Sequence, residues 1–221
     1  MSAGLQVRGL RLDRDGRTLL DVAALDVPPG ACTVLTGEGD SGKTLLTATL
    51  AGAVEDARGE VRLDGRRIAG PPSARLRAGL AAVADTPLRL RGVSVAEALA
   101  LARRRDRQVS DIFDRFPLLA ARRSLRAERL SGGEHQALRI ACAWMSAPAA
   151  LVLDSPTTGL AAAVVDAVLA LARDEAARGA AVLWLDQPPA PLPAPPALHI
   201  AAGRVTTSAS GSRTASRSAP G

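Results

Sequence analysis

The apolar residues of this chain fall into short runs whose spacing changes along its length. The first thirty residues contain two strand-like stretches, LQVRGLRL and TLLDVAALDV, separated by the turn sequence DRDG. The apolar run ACTVLTG then predicts a buried strand, and GKTLLTATLAG predicts a helix that ends at Gly52. GEVRLDGRRI predicts a strand with an Asp-Gly turn, and AGLAAVAD predicts another buried strand.

The spacing becomes helical between about residues 86 and 148, and strand patterns return after that segment. ALVLD (150–154) and AAVLWLD (180–186) read as buried strands on either side of a helix over 161–178. Strands separated by helices pair in parallel. The predicted fold class is therefore α/β, with a parallel sheet, N-terminal antiparallel strands and an inserted helical subdomain.

The C-terminal part is predicted to contain little regular structure. The proline-rich QPPAPLPAPP is expected to be an extended connector, because proline lacks the amide donor and fixes φ. LHIAAGRV predicts a last strand and turn, and the polar, low-complexity residues 206–221 predict a disordered tail. The domain is accordingly expected to span residues 1–205.

Composition excludes some functions. The 221 residues suit one domain with a subdomain, and the net charge of +6 would suit a nucleic-acid partner. The arginines, however, are spread along the chain and stand apart from the few aromatic residues, so a solvated surface is expected and nucleic-acid binding is not. On this interpretation the run RRRDR (103–107) is an exposed helix face.

Nothing in the sequence predicts secretion or a membrane span. Cys32 and Cys142 lie far apart in apolar stretches and are expected to be buried free thiols in a reducing cytoplasm. The N-terminus does not resemble a secretory signal, and the longest apolar segment, 160–172, is short of the roughly 20 residues that a span needs. Any membrane role is expected to depend on a partner chain.

The chemistry of the sequence centres on Lys43, the only lysine in the chain. Residues 37–44, GEGDSGKT, match the phosphate-loop pattern GxxxxGK(S/T) between a strand and a helix. Glycines let backbone N–H groups converge on anionic oxygens, and the helix N-terminus adds a favourable dipole. The compact Lys43 ammonium would reach β- and γ-phosphates where a planar guanidinium would not fit. The predicted site for ATP or GTP comprises Gly37, Glu38, Gly39, Asp40, Ser41, Gly42, Lys43 and Thr44.

Two further motifs would complete such a site. Asp154 ends the strand ALVLD and is expected to hold Mg²⁺ together with the Thr44 hydroxyl. The segment LSGGE, with Ser131, Gly132, Gly133 and Glu134, stands before a helix. It is either a second anion-binding element or an ordinary serine N-cap.

The order phosphate loop, LSGGE, LVLDSPTTGL resembles the ATP-binding-cassette (ABC) ATPases from about Leu5 to Val205. The resemblance implies a P-loop NTPase (RecA-like) core and two domains paired head to tail, with ATP between 37–44 of one and 131–134 of the other. It also implies a transmembrane subunit that contacts the helical insert and the turn near Asp85, and so a position on the cytoplasmic face of the cell membrane. GEGDSGKT, GEVRLDGR and SPTTGL are most similar to peptide and nickel importer cassettes.

The chain departs from this family where hydrolysis is carried out. The resemblance implies a general-base glutamate at Ser155, a γ-phosphate-sensing histidine at Gln187 and an aspartate at Ala161. Asp40 replaces a usual glycine, and Asp85 replaces a glutamine, either as a Mg²⁺ ligand or as a solvated turn residue. General-base catalysis contributes roughly 10²- to 10⁴-fold to a rate. We therefore expect slow or undetectable hydrolysis at this chain's own site.

An intact LSGGE beside a degraded hydrolytic site predicts a division of labour. The chain would pair with a different, intact ABC subunit and complete that subunit's site, whereas a homodimer would have two weak sites. The alternatives are a non-catalytic ATP-binding regulator or scaffold and a soluble DNA-repair or translation-type ABC protein. The family's aromatic residue for stacking on adenine is also missing near Arg14 and Asp15.

Overall fold

The computed structural model describes residues 4–84, 91–104, 106–190, 192 and 198–207. Its strands are β1 (Leu5–Arg14), β2 (Arg17–Val27), β3 (Cys32–Thr36), β4 (Arg58–Leu63), β5 (Arg66–Ile68), β6 (Leu80–Val83), β7 (Ala150–Asp154), β8 (Ala181–Asp186), β9 (Leu198–Ala201) and β10 (Arg204–Thr207). Its α-helices are α1 (Lys43–Ala51), α2 (Pro72–Arg77), α3 (Val95–Ala102), α4 (Val109–Arg115), α5 (Pro117–Ala121), α6 (Gly132–Met145) and α7 (Ala162–Ala177).

Two sheets organise these elements and confirm the predicted α/β class. The larger sheet has the order β10-β9-β3-β8-β7-β6, in which every pair except β9–β10 is parallel. The smaller sheet, β2-β1-β4-β5, is antiparallel. Because β3, β7 and β8 run in parallel, their carboxyl ends meet at one edge of the sheet, where ligands of open α/β sheets bind.

Successive side chains of the central strands point to opposite faces of the large sheet, so the hydrophobic core has two parts. Val34 and Trp184 pack with α3, α6 and α7 on one face of the large sheet. Leu35 and Leu185 pack with α1 and the antiparallel sheet on the other face. All five residues of β7 are buried, as expected for a parallel strand covered on both faces. The helices predicted between β6 and β7 are present and cover the first of these faces.

The prediction of an exposed helix face for the run RRRDR was wrong for its described residues 103, 104, 106 and 107. Helix α3 ends at Ala102, and Arg107 is only 4% exposed. Its guanidinium donates to both carboxylate oxygens of Glu175 at 2.8 Å and lies 4.0 Å from the centre of the Trp144 ring. A carboxylate from α7 and an aromatic face therefore draw this arginine inward, which local charge patterning does not reveal.

Other segments refine the sequence prediction. Helix α2 begins with a proline, buries no residue and shows no apolar stripe, so the sequence pattern gave no sign of it. It is held by Arg75, which donates to the carbonyls of Thr49 and Leu50 at the end of α1. Strand β10 extends through Thr207, two residues into the segment assigned to the tail, because Thr206 and Thr207 pair with β9.

The prediction of buried free thiols is met only in part. Cys32 and Cys142 are free and partly buried, and burial raises the pKa of the Cys142 thiol to about 12. Across the described ranges, no helix has both the length and the apolar character needed to cross a bilayer.

Candidate nucleotide-binding site

The phosphate loop joins β3 to α1 at the carboxyl edge of the large sheet. Gly37 begins the loop, and its N–H donates to the carbonyl of Asp186 at the end of β8 (3.1 Å). A side chain cannot be added at Gly37, because a Cβ would lie 2.5 Å from the carbonyl oxygen of Ile200. Gly42 adopts φ 104 immediately before α1, and Asp40 adopts φ 57, which aspartate tolerates better than most residues. The loop geometry thus depends on glycine at 37 and 42.

Lys43 lies inside this loop and is 7% exposed. Its ammonium donates to the carbonyls of Gly37 (2.5 Å) and Glu38 (2.7 Å) and to the hydroxyl of Ser41 (3.2 Å). Three acceptors around one nitrogen match the three donors of an ammonium group. The loop therefore holds a buried positive charge at the start of a helix, which is an arrangement that attracts anions.

A cleft of about 440 Å³ opens beside the loop. Residues 40–45 form one wall, Thr18 and Leu19 of β2 form part of another, and the turn residues Ala202 and Gly203 close it. Gly203 links these walls, because its N–H donates to the carbonyl of Ser41 and its carbonyl accepts from Asp21, both at 2.9 Å. A Cβ on Gly203 would overlap the carbonyl of Leu19. The β9–β10 hairpin is thus a structural support for the phosphate loop.

The sequence pattern did not identify this role of the hairpin. LHIAAGRV was predicted as a strand and turn, but its contact with the loop depends on the parallel pairing of β9 with β3. The signal in the sequence is Gly203, where φ is 75 and backbone from two other segments approaches closely.

The two residues expected to hold Mg²⁺ are Asp154 and Thr44, whose oxygen atoms suit this ion. Asp154 ends β7 and is 1% exposed, and Thr44 lines the cleft at the first turn of α1. Among the described residues, no group of three or more His, Cys, Asp or Glu side chains could hold a metal. A hydroxyl and a single carboxylate nevertheless fit Mg²⁺, which takes one or two carboxylates together with substrate phosphates. Asp85, the other candidate ligand, lies outside the described residues.

The two positions of the hydrolytic machinery follow β7 and β8. Ser155 comes directly after Asp154, with φ 45, and its N–H donates to the carbonyl of Leu185 (2.8 Å). Gln187 is exposed, and its N–H donates to the carboxylate of Asp186 (2.8 Å). Both residues thus lie at the same sheet edge as the phosphate loop. Neither Ser155 nor Gln187 carries a carboxylate or an imidazole.

LSGGE forms the N-terminus of α6 and lies apart from the cleft. The Ser131 hydroxyl accepts from the Glu134 N–H, and the Glu134 carboxylate accepts from the Ser131 N–H (2.9 Å) and from Arg122 (3.0 Å). These contacts lower the pKa of Glu134, with the backbone hydrogen bond from Ser131 as the main cause. The serine is therefore an N-cap in a complete capping box, and no residue of 131–134 lines the cleft.

Ala161 stands at the N-cap position of α7 without a capping side chain. Its backbone has the extended conformation of an N-cap (φ −69, ψ 150), and the first turn of α7 contains no acidic residue. Because an aspartate there would accept from the free N–H groups, Ala161→Asp should raise the free energy of unfolding by about 1 kcal/mol. The midpoint temperature of thermal unfolding should rise by roughly 2–4 °C. Ala161→Asn should give most of this gain and Ala161→Leu none, and equal stability of the Asp and Leu variants would contradict the prediction.

The parallel sheet, the glycine-dependent loop and the buried lysine at a helix N-terminus define a P-loop nucleotide-binding protein. Residues 20–158 match the family model described as "ABC transporter". The chain therefore belongs to the ABC transporter family, as one of its ATP-binding subunits.

Individual relatives support this membership. The chain is 32% identical to the high-affinity branched-chain amino acid transport ATP-binding protein of Pseudomonas aeruginosa, covering 77% of this chain and 76% of the relative. It is 34% identical to the hemin import ATP-binding protein of Gloeobacter violaceus, covering 81% and 71%. A solved structure of an ATP-binding subunit of an ABC transporter has the same fold, with a TM-score of 0.77, 24% identity and coverage of 92% and 89%.

Proposed function

We propose that this chain binds Mg-ATP at the interface of two paired cassettes and serves a separate transmembrane subunit at the cytoplasmic face of the cell membrane. The observation that carries the proposal is the buried Lys43 ammonium, held by three loop oxygens beside an open cleft. Thr44 and Asp154 would bind the Mg²⁺ that accompanies the phosphates. Bound Mg²⁺ would neutralise phosphate charge, and the loop N–H groups would orient the phosphates.

The chain's own site is proposed to hydrolyse ATP slowly. Ser155 offers a hydroxyl, which does not accept a proton from water at neutral pH as a carboxylate does. Glu134 does not supply the missing base, because its two oxygens already accept from Ser131 and Arg122. Bound ATP would then act mainly as a structural ligand that stabilises the pair.

The preserved signature is proposed to act on the partner's nucleotide. Gly132 is exposed at the start of α6, and a Cβ added there meets nothing within 4 Å. A substitution at Gly132 should leave this chain's fold unchanged and disturb only a molecule that packs against the helix. The proposed partner is a cassette subunit with an intact general base.

Phosphate release tests the proposal, with Lys43→Ala as the background. The wild-type chain alone should bind Mg-ATP and release phosphate no faster than that background. Ser155→Glu should accelerate release, up to the roughly 10²- to 10⁴-fold that a general base contributes. Ser155→Gln, with the same length but no basic oxygen, should not. Release by the wild type well above background would contradict the slow-site proposal.

The second arm mixes the chain with an intact cassette partner. Gly132→Asp should abolish the ATPase activity of the pair while leaving nucleotide binding by this chain unchanged. An unaffected pair would contradict the role in trans. If the chain binds nucleotide but does not stimulate a partner, the second candidate function, a non-catalytic regulator or scaffold, is favoured. The observation that supports this candidate is the absence of a carboxylate at position 155 and of an imidazole at position 187.

The transported substrate stays a prediction. The loop and turn motifs are most similar to peptide and nickel importers, whereas the two relatives described above are named for branched-chain amino acids and hemin. The membrane subunit would determine the substrate, because the site described here would hold the nucleotide and Mg²⁺ rather than the transported molecule.

A further inference from the structure

The net positive charge of this chain belongs to its helical insert, residues 86–148. The insert contains 12 arginines and six acidic residues, whereas the rest of the chain contains 16 basic and 16 acidic residues. Arginines are spread along the whole chain, but the acidic residues that would balance them are scarce in this segment. The insert therefore carries the full formal charge of +6, and such a surplus attracts anionic partners.

Some of the acidic side chains in the insert are engaged in holding its backbone. The Glu97 carboxylate accepts from the Ser94 N–H at the start of α3 (2.7 Å). The Glu128 carboxylate accepts from the Gly92 N–H (2.9 Å). These carboxylates satisfy backbone donors and form no ion pair with an arginine in the part of the chain that the structure describes.

Several arginines of the insert are exposed and have no carboxylate partner. Arg107, Arg115 and Arg122 do form ion pairs, with carboxylates of α6 and α7. Within the described part of the insert, six other arginines are exposed and take part in no ion pair: Arg91, Arg103, Arg104, Arg123, Arg126 and Arg129. Their charge is therefore available to a partner.

The unpaired arginines lie near the two ends of helix α3. At the N-terminal end, the Arg126 guanidinium donates to the carbonyl of Gly92, and the Ala96 N–H donates to the carbonyl of Arg123 (3.0 Å). Arginines 103–104 follow directly after the last residue of the helix. Because a helix rises by about 1.5 Å per residue, the two groups are close enough to contact one extended surface together.

An exposed leucine stands between these two groups of arginines. Leu101 is 77% exposed, and the only other exposed large apolar side chain among the described residues is Leu76, at 42%. Ala100 and Arg104 are also exposed and lie on the same side of α3 as Leu101. An apolar side chain flanked by cations suits the boundary between water and lipid, where apolar groups enter the headgroup layer and guanidiniums bind phosphates.

Charge complementarity selects among the anionic partners that such a surface could meet. The cytoplasmic leaflet of a membrane carries a negative surface potential. The cytoplasmic loops of membrane proteins carry an excess of lysine and arginine, so they would repel this surface. Nucleic acid is disfavoured because no aromatic residue accompanies the exposed arginines in the sequence of the insert near α3.

We infer that the exposed arginines of the helical insert bind anionic phospholipid headgroups directly, with Leu101 entering the headgroup layer. The inference goes beyond the proposed function and uses only its position at the membrane. The chain would then reach the membrane surface without its transmembrane subunit. Each arginine near the surface contributes about fivefold to the affinity at moderate ionic strength.

Sedimentation of the full chain with lipid vesicles tests the inference, in the absence of nucleotide. The chain should bind vesicles that contain phosphatidylglycerol at least about 25-fold more tightly than vesicles of phosphatidylcholine, the contribution of two arginines. Salt at about 1 M, where the Debye length is about 3 Å, should release it. Equal binding to the neutral vesicles would overturn the inference. Tighter binding to duplex DNA than to the anionic vesicles would overturn the assignment to lipid.

Paired substitutions locate the binding surface. Arg103→Gln with Arg104→Gln should weaken binding to the anionic vesicles by about 25-fold, and Leu101→Ser should weaken it by roughly tenfold. Arg58→Gln with Arg66→Gln removes the same charge from exposed positions of the antiparallel sheet and should change the affinity by less than about fivefold, the contribution of one arginine. An equal loss in both double variants would show that net charge acts without a defined surface, and would overturn the inference.

Mg-ATP binding, measured separately by calorimetry, distinguishes this inference from the proposed function. All of these variants should bind Mg-ATP as the wild type does, because none of the substituted residues lines the cleft beside the phosphate loop. Failure to bind vesicles with intact Mg-ATP binding would overturn only the lipid inference. Failure of the wild type to bind Mg-ATP would overturn the proposed function.

Discussion

Glu175→Gln should lower the free energy of unfolding by about 3–5 kcal/mol, because it leaves the buried Arg107 guanidinium with only the mostly exposed carboxylate of Asp106, 3.9 Å from its Nε, as a counter-charge. Arg107 is 4% exposed and Glu175 is 1% exposed. Arg107 donates to both oxygens of Glu175, and Arg178 donates to one of them (3.2 Å). An amide in place of the carboxylate keeps the shape but removes the charge. The midpoint of thermal unfolding should fall by roughly 6–20 °C.

The matched control replaces both partners. Arg107→Met with Glu175→Leu removes both buried charges and fills similar volume, so its stability should lie within about 1 kcal/mol of the wild type. Urea unfolding followed by far-ultraviolet circular dichroism measures both variants without relying on Trp144, which contacts Arg107. A double variant as unstable as Glu175→Gln would show that the pair contributes net stability. If the free energy of unfolding of Glu175→Gln lies within about 1 kcal/mol of the wild-type value, other groups or water must solvate the Arg107 guanidinium.

This ion pair also marks a limit of prediction from sequence. Arg107 follows the helix α3 and Glu175 lies on α7, so their contact depends on how the helical segment packs on the sheet. Charge patterning concerns near neighbours in the chain and assigned Arg107 to the surface. Arg107 is buried because it contacts Trp144 and Glu175, which lie 37 and 68 residues further along the chain. Pattern alone therefore predicts the helices better than it predicts the burial of their charges.

The phosphate loop was predictable because its chemistry is local. A strand, glycines at 37 and 42 and a lysine before a helix are adjacent in the sequence, and in the structure the Lys43 ammonium is held by oxygens of the loop itself. The support from Gly203 was not predictable, because β9 reaches the loop only through pairing with β3. The N-cap at Ser131 was one of the two interpretations that the sequence allowed, and both an N-cap and an anion site are compatible with an exposed Gly132.

The single lysine of the chain leads to the second large effect. Lys43→Ala should weaken Mg-ATP binding by roughly 10- to 150-fold, the range expected for loss of a charged hydrogen-bond donor. Lys43→Arg should be nearly as weak, although it retains the charge. The ammonium fits among three oxygens within 2.5–3.2 Å, whereas a guanidinium is larger and planar and points its donors along fixed directions.

Comparison of these two substitutions separates charge from shape. Calorimetry with Mg-ATP and with Mg-triphosphate should give the same loss for both ligands, since Lys43 lies inside the loop, where it would contact the phosphates and not the base. Arg66→Lys, an exchange of the same two residue types at an exposed position of β5, should leave affinity unchanged and so excludes a general effect of the exchange. A Lys43→Arg affinity for ATP within about threefold of the wild-type affinity would be much less than the loss expected for a missing charged donor. It would show that a positive charge alone is sufficient for ATP binding at this position. The geometry of the loop would then not explain why this one position carries lysine when every other Lys or Arg position in the chain carries arginine.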